Sequence, residues 1–366
     1  MKQRQRAALG VGIVVAIFLF VQLAALALVE PFDQVYQPVE DPQDPTNSIY
    51  YVVAILVATA VMLGAFKLGV DELIRLLVVA SGAWLSLYVF SVLVPPAPPI
   101  LGVNSVALGG ALAIGIALYA YPEWYVIDTA GALMGAAGAG LFGISFGVLP
   151  AIILLTVLAV YDAISVYGTE HMLTLANGVM DLKVPVVLVI PLTLSYSFLD
   201  ADTPDPTDDE ASDDAGDAAA VADGDGVEPA ATDGDSAEPA PTDGDGEGEV
   251  ATSSADGDES VPEQDPLERD ALFIGLGDVV IPTVLVASAA HFAAESTPSV
   301  LSVPLPALTA MIGSLVGLGF LLRMVLKGSA HAGLPLLNGG TIGGYLLGAL
   351  ASGVTLLDAI GLGPYL

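Results

Sequence analysis

Long apolar runs alternate with short polar stretches along most of the chain, and ionisable residues seldom interrupt a run. A helix crosses a hydrocarbon core of ~30 Å with about 20 apolar residues. Nine runs approach or exceed that length, at about 7–28, 49–66, 76–94, 100–120, 126–146, 147–168, 271–290, 305–326 and 334–357. The first follows Lys2, Arg4 and Arg6 and is longer than the apolar core of a typical signal peptide. The fifth is rich in small residues (Gly131, Gly135, Gly138, Gly140, Gly143), which let helices approach closely where lipid offers no hydrophobic drive. The pattern predicts an all-α integral membrane protein with nine transmembrane helices.

A further apolar stretch, 182–199, contains Pro185 and Pro191 and makes a poor helix. Charge placement also argues against a tenth span. With nine spans and a cytoplasmic N-terminus, Lys2, Arg4, Arg6, Lys67, Arg75, Lys183, Arg269, Arg323 and Lys327 all fall on the cytoplasmic side. That satisfies the positive-inside bias, and it puts the long loop after the sixth span in the cytoplasm and the C-terminus outside. The stretch 182–199 is expected at the interface or folded into the protein.

Composition changes the picture in one region only. The chain is 54% hydrophobic and 14% charged, with a formal net charge of −32. Of 41 acidic residues, 26 lie in 200–270, against one basic residue, Arg269. The acid belongs to a loop, so it does not mark the whole protein for a basic partner, and nothing points to nucleic acid. The tract 200–265 lacks aromatic residues and repeats Asp-Gly-Asp, and it cannot bury enough apolar surface to order itself. The expected organisation is a membrane domain 1–199, a disordered acidic cytoplasmic loop 200–270 and a membrane domain 271–366. Such an acidic tract suits a cytoplasm kept at high salt, as in a haloarchaeon. The absence of cysteine excludes disulfides and thiolate chemistry. Three scattered histidines suggest no metal site, and nothing suggests an organic cofactor.

Ionisable residues inside spans are functional candidates by default. Asp128 reads as a solvated cap near the start of the fifth span. Asp358, Glu295 and His291 read as interfacial, and Glu170 and His171 as surface residues beyond the sixth span. Two remain. Asp162 lies about six residues before the cytoplasmic end of the sixth span, and Asp278 about seven residues after the cytoplasmic start of the seventh. At 1.5 Å per residue both sit roughly 9–11 Å deep on consecutive antiparallel spans. Two carboxylates brought together in a low dielectric cannot both ionise and hold one proton between them. Such a pair can activate water and protonate a carbonyl. Gly275 and Gly277 leave room for a substrate backbone or water to reach Asp278. On the residues alone, a structural pair or a proton- or ion-coupled transporter is as good a reading.

Tyr161-Asp162 in one span and Gly275-Leu276-Gly277-Asp278 in the next, with a long hydrophilic loop between, resemble the presenilin and signal peptide peptidase family. The resemblance runs from the first span to the ninth. It implies an intramembrane aspartyl endopeptidase that hydrolyses transmembrane protein or peptide substrates in the bilayer near their cytoplasmic ends, with Asp162 and Asp278 as the catalytic pair. The cytoplasmic N-terminus resembles presenilin rather than signal peptide peptidase, whose orientation is inverted. The family also carries a Pro-Ala-Leu motif near the start of the ninth span. A literal Pro306-Ala307-Leu308 begins the eighth span at its outer end, whereas Ala332-Gly333-Leu334-Pro335 occupies the fitting position with two residues replaced. Substrate contacts are thereby implied at Tyr161, Gly275, Leu276, Gly277, Gly333, Leu334 and Pro335. In 182–199, the strand formers Val184, Val186, Val187, Val189 and Ile190 either add to an unwound substrate backbone or form an inert interfacial anchor. The transporter alternative predicts repeats with interrupted spans in both halves, and none is evident.

Overall fold

The computed structural model describes residues 3–36, 39, 41–100, 102–168, 185–192, 196–199, 271–326 and 332–363. The expected acidic loop, Glu170 and His171 lie outside these residues. Among the described residues the helices are α1 (Gln3–Val35), α2 (Thr46–Lys67), α3 (Asp71–Leu93), α4 (Ser105–Ala120), α5 (Trp124–Ser145), α6 (Val148–Gly168), α7 (Leu276–His291), α8 (Leu305–Val325), α9 (Gly333–Ala351) and the single turn α10 (Leu356–Ala359). Seven are long and apolar enough to cross a membrane, and α4 and α7 are shorter apolar helices of 16 residues each. These nine correspond one to one with the nine runs of the sequence.

The boundaries differ where the chain forms strands instead of helix. The fourth run starts as a hairpin, β1 (Pro99–Ile100) with β2 (Val103–Asn104), turning at Gly102 with φ +79°. Only then does α4 begin, with the Asn104 side chain accepting the Val106 N–H at 3.0 Å. A similar hairpin, β5 (Ser299–Val300) with β6 (Val303–Pro304), precedes α8. The ninth run ends as helix at Ala351, before Gly353 at φ +83°, so Asp358 sits in α10.

The seventh run departs most. Its first five residues form β4 (Ala271–Gly275), paired antiparallel with β3 (Val187–Pro191) from Val187↔Gly275 to Pro191↔Ala271. Leu272, Phe273 and Ile274 favour a strand, and Gly275 and Gly277 weaken helix at the junction. The stretch after the sixth span is thus folded into the protein: Leu188, Val189 and Ile190 are fully buried or nearly so.

The interior is organised around α7, which packs against α1, α5, α6, α8 and α9. Every residue from Pro282 to Ala289 is buried, the mark of a helix surrounded on all sides. By contrast α2 exposes Val53, Leu56, Val57 and Val61, an apolar surface that suits lipid. The tightest contact is between α8 and α9. Gly313 and Gly317 face Gly340 and Gly344, a four-residue spacing on both helices, and Gly348 continues the row against Pro306 and Thr309. A Cβ on Gly340 would run into the Gly313 carbonyl oxygen and stand 3.4 Å from Gly317 Cα; one on Gly348 would stand 2.8 Å from Pro306 Cα. The two backbones are in contact, which fixes where α9 starts.

Candidate active site

Asp162 projects from α6 and is 8% exposed. Its Oδ2 accepts the Leu334 N–H at 3.0 Å. Leu334 is the second residue of α9, whose first-turn N–H groups have no partner inside the helix. Asp162 therefore supplies from another span the acceptor that a capping side chain would otherwise supply. Asp278 sits in the first turn of α7, not seven residues into a helix as the sequence suggested, because 271–275 pair as a strand. A Cβ on Gly275 would lie 3.4 Å from its Oδ2, and a Cβ on Gly333 3.5 Å from the same atom. The start of α9 thus touches both acids, Gly333 on one side and Leu334 on the other.

Of the residues expected around the pair, Gly275, Gly333 and Leu334 meet it directly. Gly277 is exposed, and a Cβ there would meet only Ile281 of its own helix, at 3.8 Å. Pro335 lines an open groove of about 270 Å³ between α6 and α9, together with Ala159, Val160, Ala163 and Asn338. Tyr161 is exposed at 40% beside Asp162. Leu276 does a different job: its N–H donates to the Val186 carbonyl at 2.8 Å and its Cδ1 packs near Gly135 of α5, joining the β3–β4 ladder to α7. The literal Pro306-Ala307-Leu308 packs near Gly348, fifteen residues and ~22 Å along α9 from Gly333. It lies at the opposite end of that helix from the acids.

The ladder also determines which strand edge is free. The Leu276–Val186 bond makes 186 and 276 a hydrogen-bonded pair, so 188–274 and 190–272 are the next two. The amide of Val189 then points away from β4, and it donates to Asp128 Oδ1 at 2.7 Å. Asp128 is not the solvated cap the sequence suggested. Glu123 is the N-cap of α5, and Asp128 is half-buried and reaches β3. On the other side of the sheet, Ala271, Phe273 and Gly275 turn their amides outward, with no backbone partner among the described residues. Among the described residues, the edge left unpaired belongs to β4, immediately before the helix that carries Asp278.

Two acids from different spans therefore meet at the glycine-flanked start of a third, beside a short sheet whose β4 edge has no backbone partner among the described residues. The sequence pattern that defines the "Signal-peptide peptidase, presenilin aspartyl protease" family matches residues 15–354. This chain belongs to that family. It is an intramembrane aspartyl protease of presenilin type and a multi-pass membrane protein. Two solved structures of a presenilin family intramembrane aspartate protease, in space groups C222 and P2, are similar to it. They share 29% and 30% identity, with TM-scores of 0.55 and 0.54, and in both cases the match covers 92% of this chain and 96% of that chain. No curated protein matches the chain. Family membership favours hydrolysis over the transport that the buried acids alone left open.

Proposed function

We propose that Asp162 and Asp278 are the catalytic pair, and that the enzyme uses them with one water molecule to cut peptide bonds of transmembrane helices. The observation that carries this reading is the meeting of both acids at the start of α9, with Asp162 held by the Leu334 N–H and Asp278 against Gly333. Two carboxyl groups so placed share a single proton, which belongs to the pair. The charged member takes a proton from water as its oxygen attacks the scissile carbonyl carbon, and the protonated member gives its proton to the carbonyl oxygen. The tetrahedral diol then collapses. The amide nitrogen receives a proton, the C–N bond breaks, and the pair returns to its starting state.

An intact helix shields its carbonyls, so the substrate must unwind near the acids. The outward amides of Ala271 and Phe273 can pair with the unwound stretch, supplying hydrogen bonds that lipid cannot. This assigns the docking edge to β4, with β3 as its support. Gly275, Gly277 and Gly333 then leave space for the substrate backbone, and Tyr161, Leu334 and Pro335 flank it. Lysine and arginine placement puts this end of the bundle, the N-terminus and the acidic loop in the cytoplasm, with the C-terminus outside. Water accordingly enters from the cytoplasmic side.

The test is cleavage of a reporter transmembrane peptide by the purified protein in liposomes. Asp162→Asn and Asp278→Asn should each lower the rate at least about a hundredfold, the contribution of a positioned acid or base. A transition-state analogue of peptide hydrolysis should block the parent. Activity surviving in either variant would overturn the assignment.

A further inference from the structure

Besides the catalytic pair, the bundle holds two carboxylates near the start of α5, Glu123 and Asp128. Glu123 is 6% exposed, and its Oε2 accepts the Trp124 N–H at 3.4 Å as the helix cap. The same side chain accepts the Ser197 hydroxyl at 2.7 Å and the Phe198 N–H at 3.1 Å. Five residues on, Asp128 accepts the Val189 N–H at 2.7 Å. Both acids of this helix end therefore hold the stretch that follows the sixth span.

Asp128, Gly131 and Gly135 fall at i, i+3 and i+7, on one face of α5. That face lies along β3 and then along the start of α7. A Cβ on Gly131 would come 2.9 Å from Leu188 Cδ2, and one on Gly135 would come 3.2 Å from Val280 Cγ2 and 3.3 Å from Leu276 Cδ1. The glycines bring the α5 backbone close to the strand, and Asp128 adds a side-chain hydrogen bond from α5 to the β3 backbone. That bond also satisfies a β3 amide that points from the ladder toward α5. In a low dielectric an unpartnered amide there would be costly.

We propose that Asp128 is a positioning residue for peptide hydrolysis. By holding the Val189 N–H it locks β3, and through the ladder β4, in one register against α5, and so sets which substrate peptide bond arrives at the catalytic pair. The proposal rests on the proposed function, because it needs a substrate strand on β4 and chemistry at Asp278. Backbone pairing alternates with a period of two, so a substrate that slips while keeping its side chains on the same faces must slip by two residues.

The experiment is mass spectrometry of the products from one reporter transmembrane peptide in liposomes. It compares the parent, Asp128→Ala, Asp128→Asn and Val189→Pro. Asparagine keeps the acceptor oxygen, so Asp128→Asn should keep the parent's dominant cut. Asp128→Ala should raise the ratio of products displaced by two residues to the parental product about tenfold, the effect of losing one hydrogen bond of this kind. Val189→Pro removes the donor and keeps the ladder, because Val189 does not bond to β4, and it should reproduce the alanine pattern; it also serves if Asp128→Ala does not fold. A parental cut pattern in Asp128→Ala or Val189→Pro, with only a lower rate or melting temperature, would reduce Asp128 to a structural residue and overturn the proposal. Displaced cuts in Asp128→Asn would do the same, because the acceptor would then not be what matters. Asp278→Asn run alongside keeps the readings apart. Cutting that persists in that variant sinks the catalytic assignment, whereas its loss leaves the product pattern to decide the role of Asp128 alone.

Discussion

Gly340→Ala adds one methyl group where α9 crosses α8, well away from either acid, and should still disable the enzyme. The new Cβ would collide with the Gly313 carbonyl oxygen and stand 3.4 Å from Gly317 Cα. Both obstacles are backbone, so neither can rotate aside. Restoring ordinary carbon–oxygen contact parts the two helices by about 1 Å. Leu334 lies six residues earlier, ~9 Å along the same helix, so most of that displacement reaches its N–H. The bond to Asp162, 3.0 Å in the structure, would leave hydrogen-bonding range if lengthened by about 1 Å. Overpacking of this kind costs ~1–3 kcal/mol of stability. A 1 Å misplacement at the reacting groups can lower turnover about a hundredfold. The control is Gly343→Ala, on the same helix three residues on, where a Cβ meets nothing within 4 Å. Initial cleavage rates in liposomes and thermal unfolding in detergent should separate the two variants. The first should be slow and less stable, the second indistinguishable from the parent. A Gly340→Ala enzyme within twofold of the parent, or equal losses in both variants, would refute the reasoning.

Two further outcomes follow from the same geometry. Phe273→Pro deletes an outward amide of β4 but keeps the ladder, because 189 and 273 are not a hydrogen-bonded pair. Against Phe273→Ala, which also loses the ring contact with Phe198, it should raise KM about fivefold, the effect of losing one hydrogen bond; equal KM values would mean that substrate does not pair there. Asn338 is fully buried, donates to the Leu155 carbonyl at 2.9 Å, and its Oδ1 has no partner among the described residues. Asn338→Leu removes a bond and an orphan together, so unfolding should shift by less than about 1 kcal/mol; a larger loss would refute the offset.

Much of this was legible because a membrane restricts the choices. Nine apolar runs became nine helices, since each span must satisfy its backbone internally. The acids stood out because ionisable groups inside spans are rare, and Leu334 was placed by its position at the start of α9, a feature of order along the chain. What failed to show was whatever depended on partners far apart in sequence. Residues 271–275 are apolar enough to continue a span, and only pairing with 187–191, about eighty residues earlier, makes them a strand. The matched depth read from helix geometry was therefore partly fortuitous for Asp278. Asp128 looked like a cap because nothing local reveals that Val189 comes to it. The glycines of α8 and α9 carry a four-residue spacing that sequence could have flagged, although spacing alone does not say which helix meets which.

The placement of the acids also bears on why they are there. A carboxylate inside a bilayer-spanning helix is disfavoured by roughly 2.5–3.5 kcal/mol even on a lenient scale. A bundle needing only cohesion has milder means, and this one uses them elsewhere: Gln22 bonded to Ser314, Ser288 to the Phe146 carbonyl and Ser48 to the Pro150 carbonyl. Each of those is neutral and buried. At the start of α9 a neutral side chain could equally have accepted the Leu334 N–H. Instead two acids border the start of α9, where they would repel if both were charged, beside glycines at which an added Cβ would stand 3.4 and 3.5 Å from Asp278 Oδ2. Repulsion of that kind adds nothing to stability. It does favour a shared proton, the one property of the arrangement that cohesion does not need and peptide hydrolysis does.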